Sequence, residues 1–324
     1  MFWASIAQAA ELRIATFAAP LSRDGPGLLL RDIQKGEDDS LTAITFAIAQ
    51  AAPDVLVLTD FDYDLDGLAL AAFAQGFGAD YPYLFARRPN AGLATGYDID
   101  GNGWTGEARD AQGYGRFAGD GGIAILSRYP VAVDAVTDLS TMLWRDLPDA
   151  VLPQVGGAPF FPSEVQDILR LSSTAHWIVP IRLPNDTLVS IMAFAATPPV
   201  FDGPEDMNGL RSRDELKLWE HVLDGTFGPP PDSFILAGNS NLDPTGGQGD
   251  RAAMAAFLAR DDLNDPHPGT TNADWGADST GKLRVSYVLP SSDWRIIDAG
   301  LTAADVNGGT AGGPHSLVWV DVSR

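Results

Sequence analysis

The strongest constraint in this sequence is a series of short β-rich runs that recur from one end of the chain to the other. LRIATF at 12–17 comes first, and PDVLVLTDFD at 53–62 carries the continuous apolar stretch that a strand buried on both faces needs. GIAILSRYPV (122–131), HWIVPIRLP (176–184), TLVSIMAFA (187–195), SFILAGNS (233–240), LRVSYVLP (283–290) and HSLVWVDV (315–322) follow. Helical patterns lie between them, at 40–51 and at 204–223. The second opens on Pro204-Glu205-Asp206 and gathers most of Leu210, Leu216, Leu218, Trp219 and Val222 on one face, which predicts a helix covering a sheet. This alternation is the rhythm of an α/β fold. Gly- and Pro-rich stretches at 96–122, 225–232, 244–250 and 305–314 read as loops. None has the length or bias of an interdomain linker and no internal repeat is present, so residues 11–324 are read as one domain.

Composition narrows the function. The 45% hydrophobic content supplies a core. Asp and Glu outnumber Lys and Arg by 43 to 21, a formal charge of -22, so a polyanion meets a repelling surface and nucleic acid is disfavoured as a partner. The plainer meaning of that charge is a solubilising surface on an exported or salt-exposed protein. The absence of cysteine excludes disulfides, a thiolate nucleophile and zinc held by sulfur. With four histidines (His176, His221, His267, His315), an all-His metal site is disfavoured. In residues 1–10 a short apolar stretch meets Ala7-Gln8-Ala9, which has the small-x-small form of a signal-peptidase site. Two readings stay open: the remnant of a secretory leader on a periplasmic or extracellular protein, or a flexible N-terminus. No run approaches the ~20 apolar residues of a spanning helix.

Seven segments in order carry a resemblance: LRIATF with its Ser22-Arg23-Asp24-Gly25-Pro26-Gly27 loop, PDVLVLTDFDYD, GYGRFAGDGGIAILSRYPV, AFAATPPVFDGPEDMNGLRSRDE, FILAGNSNLDP, LRVSYVLP and GGPHSLVWVDV. From about residue 11 to 322 the chain resembles the endonuclease/exonuclease/phosphatase family, with its DNase I-like fold. The resemblance implies a four-layer α/β/β/α sandwich: two mixed, mostly antiparallel sheets flanked by helices, with the site at the strand ends. It also implies phosphate-ester cleavage with one or two Mg²⁺ ions. That chemistry needs carboxylates to hold metal and a His/Asp pair to manage charge and protons.

Carried over position by position, much of that equipment is replaced. Ala18 stands for an Asn, and Asp60 for a metal-binding Glu, one carbon–carbon step of about 1.5 Å shorter. Ala195 stands for a phosphate-facing His, Asn239 for the Asp that positions the attacking water, Ser286 for an Asp, and Pro314 for the Asp beside the closing His. Asn241 and His315 match outright. The expectation is a pseudoenzyme that acts as a binding or structural module for an unidentified protein or small-molecule ligand. Two alternatives remain: an active Mg²⁺- or Ca²⁺-dependent phosphoesterase with a site rebuilt on Asp60, Asn241 and His315, and a subunit of a larger assembly. Trp144, Trp177, Trp219, Trp275, Trp294 and Trp319 are expected mostly in core or strand positions rather than on a stacking platform.

A second motif lies apart from these positions. Asp98-Ile99-Asp100-Gly101-Asn102-Gly103 fits the opening of a calcium loop, with oxygen ligands on alternate residues and a glycine at the sharp turn. The Trp104 carbonyl would follow as a ligand. Arg109 occupies the usual twelfth position of a Glu, which leaves Glu107 or Asp110 to close the shell. The competing reading is a polar turn that needs no ion. A bound Ca²⁺ would be structural.

Overall fold

Successive side chains of a strand point to opposite faces, so a strand that is apolar throughout must be covered on both. In β1 (Glu11–Leu21) and β2 (Val55–Phe61), Leu12, Ile14, Val55 and Val57 enter one core while Phe17, Ala19, Leu56 and Leu58 enter another. That double burial stacks the layers of the computed structural model, in which residues 11–305 and 311–324 are described. The expected leader-like residues 1–10 and part of the 305–314 loop lie outside the described residues.

The first sheet has the order β14-β15-β1-β2-β4-β3, adding β3 (Tyr83–Phe85), β4 (Gly122–Ser127), β14 (Arg295–Thr302) and β15 (Leu317–Ser323). The second has the order β13-β10-β9-β8-β5, from β5 (Thr137–Asp138), β8 (Ala175–Arg182), β9 (Leu188–Ala195), β10 (Phe234–Asn239) and β13 (Ser286–Pro290). Only the β1–β2 and β9–β10 pairs within these sheets are parallel. Two small ribbons, β6 (Gln154–Val155) with β7 (Ala158–Pro159) and β11 (Ala273–Asp274) with β12 (Lys282–Leu283), complete the strands.

Three cores hold the layers together. Between the sheets, Leu12, Val57 and Ile125 meet Trp177, Ile191 and Ile235. Outside the first sheet, Leu41, Ile44 and Ile48 of α2 (Asp39–Ala51) pack on Phe17 and Leu58, with help from α1 (Leu28–Lys35) and α3 (Leu68–Gln75). Outside the second sheet, α4 (Ser163–Gln166), α5 (Met207–Leu223) and α6 (Arg251–Leu258) cover Met192, Phe194 and Leu236. This is the expected α/β/β/α sandwich. Asp38 starts α2 by accepting the Leu41 N–H at 3.0 Å, and Asp250 starts α6 through Ala253 at 2.9 Å. Among the described residues no helix is long and apolar enough to cross a membrane.

One long strand escapes the sequence pattern. β14 is an edge strand whose residues are mostly exposed or half-buried, so RIIDAGLT lacks the apolar alternation that marks the others. The 283–290 run also starts late as a main-sheet strand, because Leu283 pairs instead with Ala273.

Ile191 lies fully buried in the inter-sheet core. Ile191→Ala is expected to destabilise the protein by about 2–5 kcal/mol, the cost of a cavity in a core that cannot collapse. A guanidinium titration checks this; a loss under 1 kcal/mol would mean the sheets are not packed on this residue.

Candidate active-site cleft

At one end of the sandwich the strand ends of both sheets enclose a cleft of about 320 Å³. Seven of the eight positions carried over from the family line it: Ala18, Asp60, Ala195, Asn239, Asn241, Pro314 and His315. Ser286 sits just behind, fully buried and paired across the ladder with Asn239. Thr59, Thr174, Pro20, Ala196 and Gly121 complete the lining. Sequence reading missed these five because they carry no diagnostic chemistry of their own.

Backbone irregularity aims the two acidic and amide groups. The β2–β4 register shifts between Thr59 and Phe61, leaving Asp60 as an extra residue in a bulge with φ of 68°. Gly121 (φ 61°) lies against it; a Cβ there would come within 2.9 Å of the Asp60 carboxylate. Asn241 also has a left-handed backbone, at φ 57°. Asp and Asn bear this conformation better than other non-glycine residues, yet it still carries strain of about 1–2 kcal/mol per residue. Asn241 donates its amide to the Ala196 carbonyl at 2.8 Å and its backbone N–H to Asn239 Oδ1 at 3.2 Å.

The charges around the cleft are lopsided. Asp60 is open to solvent at the cleft mouth but ringed by protein. Partial loss of water, followed by the fields of Asp62 and Asp120, raises its pKa, while its open side keeps some hydration. Asp62 is buried and pushed up to about 6, chiefly by desolvation, while the N–H groups of Gly121 (3.1 Å) and Arg23 (2.8 Å) pull it down. Asp120 accepts from Ser22 at 2.6 Å and from the Arg116 N–H at 2.7 Å. The neighbouring guanidiniums are committed elsewhere: Arg23 to Asp32 (3.0 Å) and Asp38 (2.9 Å), Arg116 to Asp24 and Asp120.

Behind the cleft, α5 supplies a buried polar brace. Glu215 accepts the N–H of Ser173 (2.6 Å) and its hydroxyl (2.8 Å) with one oxygen, and the N–H of Thr197 (2.7 Å) with the other. It therefore pins the residues next to Thr174 and Ala196, two wall positions that flank the cleft ends of β8 and β9. Arg211 donates to the carbonyls of Leu171 (2.8 Å) and Arg170 (2.7 Å). Desolvation pushes Glu215 up to about 7. Arg211, Glu215, Leu218 and Val222 recur at helical spacing on one buried face. That spacing was the available signal that the two charges are buried.

Sequence comparison agrees with the geometry. The Endonuclease/Exonuclease/phosphatase family profile matches residues 35–306. The chain belongs to the endonuclease/exonuclease/phosphatase family. Among solved structures, the endonuclease/exonuclease/phosphatase from Beutenbergia cavernae DSM 12333 superposes with a TM-score of 0.61 at 18% identity, covering 97% of this chain and 71% of that one. Sphingomyelinase C from Streptomyces griseocarneus gives 0.54 at 16%, covering 96% and 99%. A humanized D. rerio TDP2 gives 0.51 at 14%, covering 97% and 99%. At these identities the likeness is one of fold. No curated protein sequence matches the chain.

Members of the endonuclease/exonuclease/phosphatase family are typically metal-dependent phosphoester hydrolases. Mg²⁺ demands an octahedral shell of oxygens, with carboxylates as its anchors. Asp60 is the one carboxylate among the described residues lining this cleft. Asp62 beside it is already engaged by two backbone N–H groups, and Ser286 and Pro314 stand where the resemblance leads one to expect further carboxylates. The donor set does not fit the family's metal centre. His315 is no better placed as an acid: its ring packs edge-on against Trp275 at 5.2 Å, and its buried Nδ1 has no partner.

The calcium-like loop lies elsewhere. Asp98, Asp100 and Asp110 each bring a carboxylate oxygen within 4.8 Å of the others. Gly103, the turn glycine of the motif, is left-handed at φ 89°, as is Gly101 at φ 73°. Asp98 accepts the N–H groups of Gly103 (2.7 Å), Gly101 (2.7 Å) and Asn102 (3.1 Å), which hold its pKa low. Asn102 bonds Asp100 and Glu107, its Oδ1 accepts the Trp104 N–H at 2.8 Å, and Arg109 pairs with Asp100 at 3.0 Å. Asp110 accepts from Ile99 (2.9 Å) and Glu107 (3.0 Å).

Burial lowers the His315 pKa to about 4 from an ordinary 6.5. The imidazole is therefore expected to be neutral at pH 7 and to titrate near 4 when followed by NMR. Its contribution to stability is full above about 6.5 and is lost as pH falls from there through about 4. A midpoint at or above 6.5 would mean that the ring is hydrated or carboxylate-paired.

Proposed function

We propose that this protein keeps the family's cleft as a binding site and has lost phosphoester hydrolysis. The observation that carries this reading is the content of the cleft. The family's positions converge there, yet the base position holds the neutral amide of Asn239 and the phosphate-facing position holds Ala195. A positioned base or oxyanion donor is worth about 10²–10⁴ in rate, and several are replaced together. What remains is a preformed polar cavity suited to a small ligand.

The test is hydrolysis of phosphodiester and phosphomonoester substrates with Mg²⁺, Mn²⁺ and Ca²⁺, beside an Asn241→Ala/His315→Ala variant. The expected result is no turnover above that variant, and none gained by Ala195→His alone. Metal-dependent turnover that the double substitution abolishes would instead establish a phosphoesterase with a rebuilt site on Asp60, Asn241 and His315.

We also infer a structural Ca²⁺ in the loop of Asp98, Asp100, Asn102, Trp104 and Asp110. The convergence of three carboxylates supports it. At a hundredfold excess over its Kd the ion would add about 2.7 kcal/mol of stability. Thermal melts are expected to shift upward with Ca²⁺ in the native chain and not in Asp98→Asn. Equal melts with and without Ca²⁺ would leave the loop as an ion-free polar turn.

A further inference from the structure

Resting on the reading that the cleft binds rather than hydrolyses, we propose that it takes a primary alkylammonium group seated on Asp60. Among the described residues the Asp60 carboxylate accepts no hydrogen bond from the protein, although it stands at the mouth of the cleft with its backbone bent to aim it there. Among the described residues no Lys or Arg lines the cavity, and the two neighbouring guanidiniums are held by Asp32, Asp38, Asp24 and Asp120. An unpaired carboxylate in that setting lacks a cation.

The rest of the lining matches an ammonium in kind. R–NH₃⁺ has one charge and three donors, and needs acceptors. Thr59, 2% exposed, has a buried Oγ1 with no partner, and His315 has an unpartnered Nδ1. The Asn241 amide nitrogen is committed to the Ala196 carbonyl, which leaves its Oδ1 free to accept. Ala18, Pro20, Ala195, Ala196 and Pro314 give apolar walls for an alkyl stem, two of them where the family's polar Asn and His would stand. A quaternary ammonium is less well served, since among the described residues the lining offers no Trp, Tyr or Phe face. Phosphate is opposed: its charge would meet Asp60, Asp62 and Asp120 with no lining cation to offset them. The chain's formal charge of -22 also draws cations toward it.

Isothermal titration calorimetry of the full chain at pH 8 tests this, with n-butylammonium as probe, n-butanol as its uncharged counterpart, and inorganic phosphate. Saturable binding of n-butylammonium alone is expected. Asp60→Asn should weaken it roughly tenfold or more, because the charge is lost while the left-handed backbone is tolerated. Asp186→Asn, in the exposed turn at the far end of β8 and β9, should leave it unchanged. No saturable binding of n-butylammonium, or equal binding by Asp60→Asn, overturns the proposal. The two ideas fail separately. Absent amine binding with no phosphoester turnover removes the ammonium site alone, whereas metal-dependent turnover removes the reading on which the site rests.

Discussion

Everything in this molecule hangs on the face-to-face packing of two sheets. Strands apolar on both faces have to be covered twice, and the four-layer sandwich does so with one shared inner core and two outer ones. The inner core also locates the cleft. On β9 the residues facing it are Val189, Ile191, Ala193 and Ala195, and on β10 they are Ile235 and Ala237, with Asn239 next in the same phase. Where the apolar run stops, the same face of the same strands opens into the cavity. The site is the inner core's unfilled end, and its walls are as rigid as the sheets behind them.

Two devices convert that rigid end into a shaped cavity. The bulge at Asp60 turns a side chain that strict alternation would send outward, toward the α1–α3 layer, into the cleft instead. The Glu215 brace ties two neighbouring strand ends to α5 through three hydrogen bonds. Burying a carboxylate is expensive unless each oxygen is satisfied, and here both are, on donors that adjoin the cleft wall. Such a brace stabilises the position of the wall irrespective of what chemistry the cleft performs.

The fold was legible because its signal is redundant. Eight apolar runs each mark a strand, and one misread run leaves the order of the others intact. β14 was invisible for the opposite reason: as an edge strand it buries Ile296, Ala299 and Leu301 only in part, and a register shift between Ile296 and Asp298 breaks their alternation. The site was legible only as positions. Motif order placed Ala18, Asp60, Ala195, Asn239, Asn241, Pro314 and His315 together, and seven do share one cavity. Nothing local to the chain foretold the bulge that turns Asp60, since a register shift belongs to a pair of strands and not to either sequence. The burial of Arg211 and Glu215 was half-legible, as a charged pair one turn apart on the face that also presents Leu218 and Val222.

The electrostatics of the cleft follow from which charges line it and which surround it. A phosphoesterase offsets the negative charge of its own carboxylates with metal, and the pair then attracts phosphate. Here Asp60, Asp62 and Asp120 act on one another at the cleft, and among the described residues no Lys or Arg lines it. The upward shifts at Asp60 and Asp62 register this imbalance, being driven by lost hydration and reinforced by neighbouring carboxylates. Arg23 and Arg116 offset it only in part, because they also pair with Asp32, Asp38, Asp24 and Asp120. On the binding reading proposed above, Asp60, Asp62 and Asp120 give the cleft a preference for cations over anions.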